Sequence, residues 1–249
     1  FVTITDSYNC KAYDSVQVNI SHIITNAGQD DTICIGGSTT LTGNGFGGYT
    51  PYSYSWSPGG YNNPSIIVSP STTTTYTFNL TDSVGCTVSD NVIVIVSNPI
   101  SVPGPNDSIC IGDNSTLNGS AFDGIAPYQY LWSYANATTA SITVSPIITT
   151  TYTLTVTDVF GCTNANDVIV AVSNLSTNAG VDDTICYGNN AILSALNSGG
   201  IGPYSYLWMP GNGTSSPFSV NPNTTTLYNV TVTDAVGCTT TDDVIVVVS

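Results

Sequence analysis

A block of 76 residues occurs three times in succession, with no insertion or deletion between the copies. Each block closes with a Thr-rich segment, a T-D-x-x-G-C turn and a Val/Ile-rich run, which occupy residues 72–97 in the first copy. The same period separates the tryptophans and one set of tyrosines, at Trp56, Trp132, Trp208, Tyr76, Tyr152 and Tyr228. A fixed period of this kind predicts one structural unit repeated in series.

The 21 residues in front of the first full block align with the end of a block, residues 77–97. They have the pattern of a closing hairpin from a truncated repeat, and a lone hairpin is barely stable in water. We therefore expect the sequence to be a window of a longer array. The predicted domains are a hairpin at 1–21 and full repeats at 22–97, 98–173 and 174–249.

Short runs of alternating apolar and polar residues, separated by Gly, Pro and Asn, predict an all-β antiparallel sandwich in each repeat. No segment has helical periodicity. The glycine-rich stretch 43–51 is predicted to be a loop without a phosphate-binding spacing. In the first full repeat, strands are predicted at 31–35, 38–43, 51–57, 64–69, 74–82 and 90–96.

The predicted strands differ in how many of their faces are apolar. Alternation places the periodic Trp and Tyr residues in the core, as Trp56 and Tyr76 are in the first repeat. The closing run Val92–Val96 is apolar on both faces, and an exposed apolar edge strand promotes aggregation. We expect either the first strand of the repeat or a neighbouring chain to cover it. The candidate interchain contacts are Ile93, Ile169 and Ile245.

The charge balance excludes several classes of partner. The chain has a net charge of −15, with one Lys or Arg residue, and every acidic residue is Asp. Nucleic acids and anionic membranes require Lys and Arg to displace counterions, so neither is expected as a partner. No segment has the length of a transmembrane helix. His22 is the only histidine and has no counterpart in the other repeats, so we expect no catalytic residues and no enzymatic activity.

Seven cysteines occupy two positions in the repeat, which predicts disulfides and an oxidising, extracellular location. Cys34, Cys110 and Cys186 lie near the start of a repeat, and Cys10, Cys86, Cys162 and Cys238 lie in the turn near the end. Pairing within repeats is favoured because it would stabilise each small unit independently. Its bonds would be Cys34–Cys86, Cys110–Cys162 and Cys186–Cys238. Pairing across junctions is the alternative, with the bonds Cys10–Cys34, Cys86–Cys110 and Cys162–Cys186.

Recurring acidic residues suggest calcium, and no other cofactor is indicated. A within-repeat disulfide would draw the segment before the first cysteine, the turn and the segment after the second cysteine together, and calcium binds six to eight oxygens. The alternative is that these aspartates are solvated residues that cap local backbone. The candidate ligands are Asp30, Asp31, Asp82, Asp90, Asp107, Asp158, Asp167, Asp182, Asp183, Asp234 and Asp242.

The order Cys, Trp, Tyr, Cys within a repeat resembles the general plan of immunoglobulin domains, although the cysteines lie at strand ends. The combination of P-Y-x-Y-x-W, T-Y-T-x-x-x-T-D-x-x-G-C and D-V-I-V-x-V also resembles PKD-type repeats. Repeats of this type occur in gliding adhesins (SprB-type) and other surface proteins of Bacteroidota. The resemblance covers all three repeats and the leading hairpin.

The resemblance implies tandem immunoglobulin-like domains, secretion to the cell surface, and a non-catalytic role as a stalk or adhesive module. It also implies O-glycosylation, because Asp-Ser/Thr-aliphatic sequences resemble the acceptors of these organisms. Three of the candidate acceptors occupy one repeat position and two lie elsewhere: Thr32, Ser108 and Thr184, then Ser15 and Ser83.

The sequence therefore predicts a non-enzymatic extracellular repeat array that forms the stalk or fibre of a cell-surface adhesin. The expected partners are other copies of the repeat protein, neighbouring repeats or surface glycans. A self-assembling filament packed through its closing strands is the first alternative. A carbohydrate-binding module that uses Tyr61 or Tyr134 is the second, although these tyrosines do not recur between repeats.

Overall fold

A computed structural model describes residues 1–134 and 136–249. Within these residues every regular element is a β-strand, so the fold is all-β as predicted. No helix long and apolar enough to span a membrane is found in the described part of the chain. The chain divides into two compact units, Phe1–Asn98 and Pro99–Ser249, and the second unit contains the second and third repeats.

The first unit has a leading hairpin and one complete repeat. The hairpin strands are β1 (Val2–Thr5) and β2 (Lys11–Asp14). The strands of the repeat are β3 (Ile23–Asn26), β4 (Asp31–Cys34), β5 (Thr39–Thr42), β6 (Asn44–Gly47), β7 (Ser53–Ser57), β8 (Ser65–Val68), β9 (Thr74–Thr81) and β10 (Thr87–Ser97). One layer is a four-stranded sheet in the order β4-β10-β9-β7, and the other strands form the pairs β5–β8 and β3–β6.

The second unit repeats this arrangement twice. The strands of the second repeat are β11 (Ile100–Val102), β12 (Asp107–Cys110), β13 (Ser115–Asn118), β14 (Ser120–Phe122), β15 (Gln129–Trp132), β16 (Ser141–Val144), β17 (Thr150–Thr157) and β18 (Thr163–Ser173). Those of the third are β19 (Ser176–Asn178), β20 (Asp183–Ile185), β21 (Ala191–Leu193), β22 (Leu196–Ser198), β23 (Ser205–Met209), β24 (Phe218–Val220), β25 (Thr226–Thr233) and β26 (Thr239–Val248). Their four-stranded sheets have the orders β12-β18-β17-β15 and β20-β26-β25-β23.

The closing strand of each repeat lies inside its sheet, because the first strand of the repeat covers one of its edges. In the first repeat β10 pairs antiparallel with β9 and parallel with β4, with Val94 opposite Asp31 and Ser97 opposite Cys34. The second and third repeats have the same parallel pairing. Of the two coverings expected for this strand, the first strand of the same repeat is the one observed.

The aromatic core follows the predicted alternation. All three periodic tryptophans and all three periodic tyrosines are buried. The Trp56 ring packs against Phe78 with the ring centroids 4.7 Å apart, and its Nε1–H donates to the Asn63 carbonyl at 3.1 Å. Because the indole N–H has a partner, the large ring is buried without an unsatisfied donor. Trp132 and Trp208 donate in the same way to the carbonyls of Thr139 and Ser215.

The predicted glycine-rich loop instead contains a strand, β6, which pairs with β3. Glycine is required here because the backbone approaches the core closely. A Cβ atom at Gly45 would lie 2.0 Å from a Leu80 methyl group, and one at Gly43 would lie 2.4 Å from the Phe78 ring. A glycine inside a strand is a known sign of close backbone approach.

A hairpin forms within the predicted range 1–21, but its strands end at Asp14 and residues 15–21 form no strand. Strands β1 and β2 pair with Val2 opposite Asp14 and Thr5 opposite Lys11, the register of the corresponding residues in β9 and β10. Every residue of these two strands is exposed. The leading hairpin therefore has the same strand pairing as the closing hairpin of the full repeat.

Candidate functional site: the junction between consecutive repeats

The junction between the second and third repeats is short and polar. Only two residues separate β18, which ends at Ser173, from β19, which begins at Ser176. Ser173 is 1% exposed, and its hydroxyl donates a hydrogen bond to the carboxylate of Asp234 in the third repeat. The last residue of one repeat is thus fixed to the closing turn of the next.

Asp234 organises that turn with both carboxylate oxygens. Oδ1 accepts hydrogen bonds from the N–H groups of Val236 at 3.0 Å and Cys238 at 2.9 Å. Oδ2 accepts from the N–H of Ile201 at 3.0 Å and from the Ser173 hydroxyl. An aspartate side chain that bonds backbone two residues ahead is a common way to fix a turn. Here the same side chain also accepts a hydrogen bond from the last residue of the preceding repeat, Ser173.

The same arrangement occurs in the first unit, where Ser21 donates to Asp82. Asp82 also accepts from the N–H groups of Val84 at 3.1 Å and Cys86 at 2.9 Å. Ser21 and Ser173 occupy the same repeat position. The serine–aspartate contact is therefore a recurring property of the place where one repeat ends and the next begins.

A disulfide between Cys110 and Cys238 joins the second repeat to the third, with the two Cα atoms 5.5 Å apart. Cys110 lies opposite Ser173 in the parallel pair β12–β18. Cys238 closes the Asp234 turn, because the Asp234 N–H donates to its carbonyl at 3.0 Å. Two neighbouring residues of one repeat thus meet two neighbouring residues of the next. We call Cys110, Ser173, Asp234 and Cys238 the junction site.

Both predicted disulfide schemes are wrong. Within-repeat pairing of Cys110 with Cys162, or of Cys186 with Cys238, is contradicted by the Cys110–Cys238 bond. The predicted Cys34–Cys86 bond fails too, because Cys86 is a free thiol. The junction alternative also fails, since its bonds would use Cys10, Cys86 and Cys186, the free cysteines of the described residues. Cys34 and Cys162 are each disulfide-bonded.

The parallel pairing of the first and last strands explains why the two cysteines of one repeat cannot form a disulfide with each other. The first cysteine lies beside the end of the closing strand, as Cys110 lies opposite Ser173. The second cysteine, Cys162, lies just before that strand begins at Thr163. Ten residues of strand separate these ends by roughly 33 Å. A disulfide needs Cα atoms about 4.4–6.8 Å apart, so the two cysteines of a repeat face different neighbours.

The junction lowers the pKa of its aspartate. Burial alone would raise the pKa of Asp234, but the Ser173 hydroxyl and three backbone N–H groups outweigh it, and the pKa lies below the ordinary value of 3.8. At Asp82 the hydrogen bond from Ser21 is the largest cause of a lowered pKa. Both carboxylates are therefore acceptor-only anions at neutral pH.

The proposed calcium ligands do not converge, and that prediction is wrong. Within residues 1–134 and 136–249, no three His, Cys, Asp or Glu side chains form a group that could hold a metal ion. Asp31 lies opposite Val94, whereas Asp82 precedes the turn that leads to Thr87. Seven strand residues separate these levels by roughly 23 Å. The disulfide that was expected to bring them together does not exist.

These acidic residues bind backbone and hydroxyl groups instead. In the first repeat the Asp30 side chain accepts a hydrogen bond from the N–H of Ile93 at 2.8 Å. In the other repeats Asn106 accepts from Ile169 at 2.8 Å and Asp182 accepts from Ile245 at 2.9 Å. These side chains accept hydrogen bonds from backbone N–H groups of the closing strand. The amide oxygen of Asn106 makes the same hydrogen bond as the carboxylates at the other two positions. The remaining candidates have equivalent partners: Asp90 and Asp242 accept from Ala27 and Ala179, Asp31, Asp107 and Asp183 from the following residue, Asp158 from Phe160 and Cys162, and Asp167 from Thr153.

The other predicted site residues lie on the surface. Ser108 and Thr184 are exposed and Thr32 is half-buried, each on the strand that pairs with the closing strand. Ser15 and Ser83 are exposed. Ile93, Ile169 and Ile245 lie on the outer face of the closing strands and are 36–41% exposed.

The exposed tyrosines do not form a repeated platform. The Tyr61 carbonyl accepts from the Trp56 N–H at 2.8 Å, and Ala137 and Gly213 occupy this position in the other repeats. Tyr134 packs edge-on against Tyr152 at 5.6 Å. Because the two tyrosines occupy different positions, they offer no common sugar-stacking surface.

The serine of the junction site was missed in the sequence. The signal was present, since Ser21, Ser97, Ser173 and Ser249 end the four closing runs at a constant spacing. Serine is unremarkable in a chain rich in Ser and Thr. Its role follows only from the turn aspartate of the next repeat, which the sequence does not place beside it.

No protein-family model matches the chain, and no curated protein is detectably similar to it. Among solved structures, the chain is similar to the N-terminal eight Ig domains of Down Syndrome Cell Adhesion Molecule (DSCAM) isoform 1.30.30, with 16% identity and a TM-score of 0.50, over 98% of this chain and 39% of that one. It is also similar to three N-terminal domains of the bacteriophage RB49 Hoc capsid protein, with 14% identity and a TM-score of 0.46. This match covers 92% of this chain and 99% of the Hoc chain.

A further similar structure contains immunoglobulin domains 1–5 of Sidekick-1, with 13% identity and a TM-score of 0.39. This match covers 92% of this chain and 60% of the Sidekick-1 chain. The chain thus spans less than two thirds of the length of the Sidekick-1 and DSCAM structures. The likeness to DSCAM concerns the fold. The chain is an all-β array of tandem immunoglobulin-like sandwiches, as the sequence predicted.

A peptide map tests the disulfide assignment. Cleavage before aspartate places each of the seven cysteines in a different peptide. We expect mass spectrometry of the unreduced chain to find peptide 107–112 linked to peptide 234–241. A link between 107–112 and 158–166, or between 183–233 and 234–241, would restore within-repeat pairing.

The lowered pKa of Asp234 predicts a pH-dependent junction. Because the folded pKa lies below the unfolded one, the contribution to stability is complete above about pH 4 and is lost as the pH falls through the folded pKa. Asp234→Asn keeps the side-chain shape but cannot ionise. We expect it to lower the unfolding free energy at neutral pH by roughly 1–3 kcal/mol. This difference should shrink in acid.

Urea titrations of the full chain, followed by circular dichroism at several pH values, measure this effect. Asp243→Asn, an exposed aspartate of the same repeat, controls for the loss of one negative charge. An Asp234→Asn difference that is the same in acid and at neutral pH would contradict the role assigned to the carboxylate.

Proposed function

We propose that this chain is part of a non-enzymatic, extracellular repeat array that carries mechanical load in the stalk or fibre of a cell-surface adhesin. The observation that supports this proposal best is the Cys110–Cys238 bond, which joins consecutive repeats across their junction. A disulfide that only stabilised a small domain would lie within that domain. A bond between domains instead limits how far they can separate.

The disulfide changes the path of a force applied to the two ends of the second unit. Tension enters before Cys110, crosses the disulfide and leaves through the closing strand β26, which follows Cys238. The backbone between the two cysteines lies outside that path. Either sandwich can then lose its packing under load without lengthening the chain by its full contour length.

An extracellular location accords with this role. Disulfides persist in oxidising compartments and are rare in the cytosol. The net charge of −15 keeps the array soluble and argues against nucleic-acid and anionic membrane partners. The resemblance to surface-adhesin repeats points the same way. Under this proposal, the acceptor residues Ser108 and Thr184 would carry glycan on the outer surface of the sheet.

Single-molecule stretching tests the load path. The full chain with Cys10, Cys34, Cys86, Cys162 and Cys186 replaced by serine retains the Cys110–Cys238 bond alone. We expect its stretched length to increase on reduction by roughly 450 Å, because the 128-residue separation contributes about 3.5 Å per residue.

The matched control also carries Cys110→Ser and Cys238→Ser, and reductant should not change its stretched length. If the bonded chain reached its full contour length before reduction, the disulfide would not bear load, and the proposed function would lose its main support.

A self-assembling filament is the alternative that a specific observation favours. Ile93, Ile169 and Ile245 form a repeated row of partly exposed apolar side chains on the outer face of the closing strands. The edge of the closing strand is already paired with β4 or its equivalent. Contact between chains would therefore use the outer faces of the closing strands and not their edges. Lateral packing of these faces would bring chains side by side.

Replacing all three isoleucines by threonine tests this alternative. Threonine keeps the β-branched shape on a partly exposed strand, so the sandwiches should stay folded. If lateral packing drives assembly, electron microscopy should find fibres of the natural chain and none of the variant. Thr75→Ser, on the exposed face of β9, is a control for surface change. Normal fibres from the triple variant would exclude this packing.

A further inference from the structure

Each repeat has a groove at the place where its first segment changes from one sheet to the other. In the third repeat β19 pairs with β22 and β20 pairs with β26, so residues 179–182 cross between the two layers. Strand β21 pairs only with β24, and its other edge borders this crossing. The groove between them has a volume of about 290 Å³, close to the lower limit for ligand sites.

The groove does not arise from where the sequence ends. Grooves of about 350 Å³ and about 150 Å³ lie at the same positions of the first and second repeats. The second repeat retains its groove although the third repeat follows it and is joined to it by a disulfide. The three grooves share their strand pairing and differ in the residues that line them.

The rim of the third groove is more apolar than that of the first. Val181 and Ile192 line the third groove and are 90% and 69% exposed. The first repeat has Gln29 and Thr40 at these two positions. Exposed apolar side chains beside a cleft are typical of surfaces that bind a ligand or a partner.

The carboxylates of the third groove have unused acceptor oxygens. Asp182 and Asp183 both line the groove. Oδ1 of Asp182 accepts the N–H of Ile245 at 2.9 Å, and Oδ1 of Asp183 accepts the N–H of Thr184 at 2.7 Å. Within the described residues neither Oδ2 atom accepts a hydrogen bond. Each carboxylate therefore has one oxygen left for a ligand.

The free oxygen of Asp183 distinguishes the third groove from the other two. In the first and second repeats the corresponding oxygen accepts a hydroxyl group, in the pairs Thr39–Asp31 and Ser115–Asp107. Ala191 occupies the hydroxyl position in the third repeat and has no donor. The third groove thus combines an apolar rim with an anionic oxygen that is unpaired within the described chain.

This combination matches the side chain of lysine. Lysine has an unbranched aliphatic stem that packs on apolar surface, and its ammonium group has three rotatable N–H donors. Arginine has a rigid planar fork that fits both oxygens of one carboxylate. Here each carboxylate already uses one oxygen for a backbone N–H group, so two separate acceptors suit an ammonium group better.

We propose that the groove of the third repeat binds a lysine side chain of a partner protein. The stem would lie along Val181 and Ile192, and the ammonium group would donate to the free oxygens of Asp182 and Asp183. The three full repeats contain no Lys or Arg residue, since Lys11 lies in the leading hairpin. The partner is therefore a different protein with an exposed lysine. This inference does not depend on the proposed mechanical role.

A nuclear magnetic resonance titration of the full chain tests the proposal. The ¹⁵N-labelled chain carries Lys11→Thr, because Thr occupies this position in all three full repeats. The probe is Nα-acetyl-lysine N-methylamide at low salt. We expect saturable shifts of the backbone N–H signals of residues 180–184. The dissociation constant should be roughly threefold or more below that of the first groove, the factor that one exposed ion pair supplies.

Variants that exchange groove residues between repeats should remain folded. Asp182→Asn introduces the residue of the second repeat, where Asn106 makes the same hydrogen bond to the closing strand. We expect it to weaken lysine binding by roughly two- to fivefold. Val181→Gln combined with Ile192→Thr introduces the rim of the first repeat and should have an effect of similar size. Asp243→Asn, on the outer face of the closing strand, removes one charge and should leave the dissociation constant unchanged.

A second probe separates the contribution of the ammonium group from that of the stem. Nα-acetyl-norleucine N-methylamide keeps the aliphatic stem without the charge, and we expect it to produce no saturable shift. Sodium chloride at about 1 M should abolish the shifts that the lysine probe causes, because it screens exposed charges.

Several results would overturn the lysine site. These are the absence of saturable shifts with the lysine probe, equal affinities in the three grooves, equal binding of both probes, and equal effects of Asp182→Asn and Asp243→Asn. Concentration-dependent shifts at the third groove that require Lys11 would identify a second copy of this chain as the partner and contradict the assignment to a different protein. None of these results would alter the Cys110–Cys238 stretching measurement, so the two proposals can fail separately.

Discussion

The parallel pairing of the first strand with the closing strand is the interaction on which the rest of the structure depends. It places β4 against the end of β10, and the same register recurs in β12–β18 and β20–β26. The closing strand thereby gains a partner on both edges and can be apolar on both faces without an exposed edge. The pairing also fixes the first cysteine at the end of the closing strand and the second at its beginning.

The junction site follows from that separation. A repeat whose cysteines lie about 33 Å apart along a strand can satisfy them only with its neighbours. Ser173 and Cys110 become adjacent through the strand register, and Asp234 and Cys238 become adjacent through the turn. The disulfide is accompanied by a buried hydrogen bond to a carboxylate. The junction is thus held by a disulfide, by a hydrogen bond to a charged carboxylate and by the turn that this carboxylate organises. Its linker has only two residues between strands.

The recurring aspartates show how a repeated pattern can indicate structure and still be misassigned. Their constant spacing was correctly recognised as a property of the repeat, but constant spacing does not distinguish a metal ligand from a backbone acceptor. Asn106 stands where Asp30 and Asp182 stand and makes the same hydrogen bond. A position that tolerates an amide needs an oxygen acceptor more than a negative charge, and this substitution was visible in the sequence.

The sequence by itself determined the repeat period, the all-β sandwich, the buried faces of the strands and the presence of a leading hairpin, because alternation and turn residues act locally. It identified the cysteines as disulfide-forming but not their partners. Only the tertiary structure decided that Cys110 meets Cys238, that Ser173 meets Asp234, and that the glycine-rich stretch contains strand β6. Those outcomes depend on which distant strands pair and in which direction, and residue spacing along the chain does not encode that choice.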